Sequence, residues 1–164
     1  DYHKRINDKK LKINENSILI IRGCGPVGYP GSAEVVNMQP PDRLLKKGIT
    51  HLPTLGDGRQ SGTSESPSIL HVSPESAVGG DLAIVRTGDK MTIDLNKRRV
   101  DLLISQSEFK KRRKKKKLLK IDNQTPWQEI FRNTVSQLED GACIKSRETY
   151  LDISNKKGLP RNSH

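Results

Sequence analysis

The sequence predicts an α/β domain built in layers, and three observations predict it. Short apolar runs bounded by Gly and Pro, at residues 17–22 (SILIIR) and 49–55 (ITHLPTL), have the length and composition of buried strands. Three further runs beginning at Leu82 are punctuated by Thr87-Gly88-Asp89 and Asn96-Lys97 and read as a meander. Two helix-start signatures, at Ser105 and Thr125, place helices on the flanks.

Taken in order, residues 1–16 are polar and charged and read as a linker or peripheral segment, which leaves 17–164 as the domain. The first strand is SILIIR, and a Gly/Pro-rich loop follows it. Pro41 opens a short helix that Gly48 closes. The second strand, ITHLPTL, runs straight into the loop GDGRQSGTSES at 56–66. The meander consists of LAIVR (82–86), KMTIDL (90–95) and RVDLLI (99–104). Ser105 and Glu108 fit a capping box, and Thr125 with Gln128 fits a second one with Pro126 at the first helical position. Trp127, Ile130, Phe131, Val135 and Leu138 share one apolar face of that second helix, which Gly141 would end. The tail, 156–164 (KKGLPRNSH), is polar.

A chain of 164 residues fits one domain; 32% of them are hydrophobic and 30% charged, which is polar but not disordered throughout. The net charge of +11 is local: residues 110–117 read KKRRKKKK, and without those eight only +3 remains. Like charges at i,i+4 weaken a helix, so the run reads as a solvated, partly frayed surface segment. A contact with nucleic acid is disfavoured, because aromatics are scarce and not interleaved with the run. Cys24 and Cys143 form no CxxC or Cys/His cluster, so no zinc site is readable. No apolar run approaches the roughly 18 residues of a membrane span, and the N-terminus has no apolar core of a secretory signal.

The richest segment is 22–80, where Gly and Pro surround a few polar groups, among them Glu34, Asp57, Arg59, Ser61 and Thr63. Glycines in such number serve left-handed turns or close approach to a ligand, and such loops commonly carry function. Ser61 stands between Gly58 and Gly62, open to a substrate; a turn serine bonding its own backbone is the alternative. Glu34 ends the run Pro30-Gly31-Ser32-Ala33-Glu34 and offers the hard oxygen that Mg²⁺ prefers, or a merely solvated charge. Thr63 offers a second hydroxyl, and His164 a terminal imidazole on a tail of the kind that frays.

The motifs Gly58-Arg59-Gln60-Ser61-Gly62 and Pro30-Gly31-x-x-Glu34, with TPWQEI at 125–130 and the KGLPRNSH terminus, resemble the C-terminal part of the dihydroxy-acid dehydratase / phosphogluconate dehydratase family. The likeness runs from about Ile18 to His164 and leans to the branch that dehydrates sugar acids such as arabinonate and xylonate. It implies a swivelling β/β/α-type, barrel-like C-terminal domain with flanking helices, as a fragment of a longer, cytoplasmic, homo-oligomeric enzyme. It implies Ser61 as alkoxide general base, Glu34 as a magnesium ligand, and Thr63 and His164 as substrate-binding groups. It also implies a [2Fe-2S] iron–sulfur cluster held by the N-terminal dehydratase domain, with no cluster ligand in this chain; both cysteines read as non-ligands. The product would be a 2-keto-3-deoxy acid, and the isolated chain would be inactive. The alternatives are a dihydroxy-acid dehydratase of branched-chain amino-acid synthesis and a non-catalytic relic whose basic run binds polyanions. The basic run is the clearest departure from the family pattern.

Overall fold

The computed structural model, which describes residues 2–32, 34–35, 38–60, 67–118 and 122–158, is organised around the apolar run at 18–21. Side chains alternate across a strand, and here the alternation feeds two cores. Leu19 and Ile21 face one cluster with Met38, Leu44 and Leu52; Tyr2, Ile6 and Ile13 from the first sixteen residues pack on it. Ile18 and Ile20 face the other, with Leu55, Leu82 and Val85.

This strand, β1 (Leu19–Ile21), pairs in parallel with β3 (Thr54–Gly56), and β3 pairs in parallel with β5 (Ser68–Ile69). Gly56 lies opposite Ile21, where a Cβ would collide with Ile21 Cγ2 and the Ile21 carbonyl; only glycine allows that approach. A second parallel pair joins β2 (Glu34–Val35) to β4 (Arg59–Gln60). An antiparallel hairpin joins β6 (Met91–Asp94) to β7 (Arg99–Leu102). The helices are α1 (Tyr2–Arg5), α2 (Asp42–Leu45), α3 (Gln106–Lys115), α4 (Pro126–Thr134) and α5 (Arg147–Lys157).

The α/β class is therefore found, with helices flanking small sheets. The closed barrel is not: among the described residues the strands form three separate open sheets of two to four residues per strand, too short a ladder to close on itself. The expected meander also loses a strand. Residues 81–84 form a 3₁₀ turn, with Leu82 and Ile84 buried. The physical reason lies sixty residues away: Arg22 Nη1 donates to the carbonyls of Leu82, Ala83 and Val85, at 3.1, 3.2 and 2.8 Å. Carbonyls satisfied by a guanidinium need no neighbouring strand.

Both helix starts form. The Ser105 hydroxyl accepts from Glu108 N, and at Thr125 the capping box is complete. Glu108 does not close its own box, because its carboxylate turns to Arg112 instead, 2.8 Å away. α4 ends at Thr134 rather than near Gly141, which instead closes a 3₁₀ turn at Leu138–Asp140. On its apolar face Val135 is buried, whereas Trp127 is 78% exposed and Ile130 is exposed.

The basic run is more structured than a solvated segment. Arg112 is buried and makes a two-pronged bond to Asp89, 2.6 and 3.0 Å. Arg113 pairs with Asp81 and lies over the Phe109 ring, and Lys116 Nζ donates to the Gly79 carbonyl.

Candidate active-site loops

Residues 23–32 form a glycine-rich loop that leaves β1 and arrives at β2. Side chains tie its start, centre and end, and Arg132 Nε adds a bond to the Val27 carbonyl at 3.0 Å. At its start the buried carboxylate of Asp57 accepts from Gly23 N and Cys24 N, both at 3.0 Å, and from Ser76 N and Oγ at 2.8 and 2.5 Å. At its centre the buried carboxylate of Glu75 accepts from Val27 N and Gly28 N, both at 2.8 Å, and from Gln137 Nε2 at 2.9 Å. At its end Arg59 Nε donates to the Ser32 carbonyl at 2.6 Å. Buried carboxylates are stable only when so satisfied, and each of these two is.

The loop turns through Gly31 at φ 85° and Ser32 at φ 47° before entering β2. A non-glycine residue in this region costs about 1 kcal/mol or more, and the Arg59 bond to the Ser32 carbonyl is placed to offset it. Glu34 opens β2 with its side chain exposed, and it stands opposite Arg59 in parallel register. The two motif blocks, twenty-five residues apart in sequence, thus lie side by side: Glu34 neighbours a residue two positions before Ser61. Ser61, Thr63 and His164 lie outside the described residues.

The donor chemistry at Glu34 fits Mg²⁺ as one ligand of several: Mg²⁺ takes one or two exposed carboxylates and keeps waters. Among the described residues no group of three or more His, Cys, Asp or Glu could hold a metal ion. Cys24 and Cys143 are both free thiols, and burial, with the Asp57 carboxylate adding to it, pushes the Cys24 thiol up. Among the described residues no helix is long and apolar enough to cross a membrane.

Sequence reasoning singled out Glu34, named Asp57 and Arg59 without giving them a role, and missed Glu75. Glu75 carries no local signature. The roles of Asp57 and Arg59 depend on partners 27 to 34 residues away.

The parallel pair sets the loop through Pro30, Gly31 and Glu34 beside the strand Arg59–Gln60. A family model, dihydroxy-acid/6-phosphogluconate dehydratase C-terminal, matches residues 1–142, and the chain belongs to that family. Its relatives narrow the branch. It is similar to the D-xylonate dehydratase of Caulobacter vibrioides, 57% identical over 164 residues, covering 100% of this chain and 27% of that protein. It is similar to the L-arabinonate dehydratase of Rhizobium leguminosarum bv. trifolii, 49% identical over 112 residues, covering 68% of this chain and 19% of that protein. A dihydroxy-acid dehydratase of Thermodesulfovibrio yellowstonii is 40% identical over 143 residues, covering 87% and 25%. The chain spans about a quarter or less of the length of these relatives.

Proposed function

We propose that the chain is the C-terminal part of a hydro-lyase that dehydrates a sugar acid to a 2-keto-3-deoxy acid. The observation that carries this reading is the pairing of Glu34 with Arg59, which sets the carboxylate motif against the strand that leads into Ser61. The names of the relatives at 57% and 49% identity, dehydratases of D-xylonate and L-arabinonate, support a sugar acid over the dihydroxy acid in the name of the relative at 40%.

In this reading Ser61, as an alkoxide, takes the proton from the α-carbon of a 2,3-dihydroxy acid. The freed electron pair forms the double bond as the β-carbon–oxygen bond breaks, and the departing hydroxide takes up a proton equivalent to the one Ser61 removed, leaving as water and restoring the base. The enol then tautomerises to the keto acid. Glu34 holds a magnesium ion, which when bound would draw electron density from the substrate's carboxylate and α-hydroxyl. Thr63 and His164 bind substrate hydroxyls. The iron–sulfur cluster belongs to an N-terminal dehydratase domain of a cytoplasmic homo-oligomer, and no step is assigned to it through this chain.

The test uses the full-length enzyme. Ser61→Ala lowers kcat by about a hundredfold to ten-thousandfold, the size of a general-base contribution, with folding and magnesium binding intact. Near-normal kcat in that variant removes the assignment. These 164 residues alone form no keto acid in a mass-spectrometric assay; turnover by the purified chain refutes that part.

A further inference from the structure

Arg59 touches the Glu34 segment twice. Its backbone pairs with Glu34 across β2 and β4, and its side chain reaches back to the carbonyl of Ser32. That carbonyl lies at the left-handed turn of Gly31 and Ser32, two residues before Glu34. Among the other ties, the carboxylates of Asp57 and Glu75 are buried and fix the start and centre of the loop. Arg59 is exposed, so its bond to Ser32 holds the end of the loop without contributing a core contact.

We infer that Arg59 is a positioning residue for Glu34: by holding the Ser32 carbonyl, it sets where the Glu34 carboxylate is presented to a divalent cation. The inference rests on the reading of Glu34 as a magnesium ligand. It has a sign that simple electrostatics does not share. Arg59 is a cation near a cation site, so removing its charge by itself would tighten magnesium binding. Losing the tether instead lets the bend relax and loosens it.

The experiment is magnesium binding by titration calorimetry on full-length protein, with the melting temperature read alongside. Arg59→Gln weakens Mg²⁺ binding by about tenfold, as loss of a group that orients a metal ligand does. Arg59→Lys, which keeps the charge but not the planar donor, weakens it in the same direction, and both variants melt near wild type. Unchanged or tighter binding in Arg59→Gln overturns the inference; should that variant not fold, Arg59→Lys decides on the same criterion. Glu34→Gln separates the two levels. If it leaves magnesium binding intact, the ligand reading fails and the inference with it. If it abolishes binding while the Arg59 variants bind normally, only the positioning role fails.

Discussion

Gly25 has no room for a side chain. A Cβ there would lie 2.5 Å from Glu75 Oε2 and 2.7 Å from Glu75 Cβ, and that carboxylate cannot step aside without releasing Val27 N, Gly28 N and Gln137. Gly31 differs: a Cβ there meets nothing within 4 Å, and only its left-handed backbone, φ 85°, resists substitution. Gly25→Ala is therefore expected to cost about 1–3 kcal/mol of stability through overpacking, and Gly31→Ala about 1 kcal/mol through backbone strain. Denaturant midpoints of the two variants check the order, and equal losses would mean that Glu75 yields more easily than its bonds imply. At this scale the glycine-rich loop was readable, because clustered glycines announce close approach. What the glycines approach was not readable, since Glu75 stands fifty residues further on with nothing around it to mark it as buried.

The elements most legible from sequence were those with local signatures. Ser105 and Thr125 cap their helices through neighbours three residues away, and SILIIR is an unbroken apolar run of strand length. LAIVR failed for the opposite reason, its carbonyls being claimed by Arg22 from a distant segment. The helix α5 went unnoticed because its N-cap, Ser146, makes no side-chain bond and none of its residues is buried. α3 shows how a run of like charges can hold together. Arg112 bonds Asp89 and Glu108 together, and its guanidinium holds both carboxyls below their usual range. Stability from carboxyls so shifted is complete above their ordinary values near about 4 and is lost as the pH falls through the lowered folded values. Arg112→Met should lower the melting temperature at neutral pH and flatten its decline in acid. An unchanged acid slope would show that the ion cluster does not couple to folding.

At the scale of the whole molecule, an apolar groove lies open among the described residues. A groove of about 410 Å³ is lined by Pro30, Gly31, Trp127, Ile130, Phe131 and Ile144, beside the loop that carries Glu34. Contiguous apolar surface of this kind promotes association in a soluble protein. The 164-residue chain should therefore self-associate with rising concentration. Trp127→Lys should suppress this without lowering the melting temperature, as light scattering and thermal melts would read; a variant that associates as before places the sticky surface elsewhere. The glycine loop has a consequence in time as well as in space. Its tethers come from far along the chain: Asp57 is 33 residues beyond Cys24, Gln137 is 62 beyond Glu75, and Arg132 donates to the Val27 carbonyl across 105 residues. Contacts so distant in sequence form late, because a long loop must close before they reward it. Within this stretch of chain Gly23 and Glu34 precede Gln137, so their loop sets only once Gln137 has been made and has folded back.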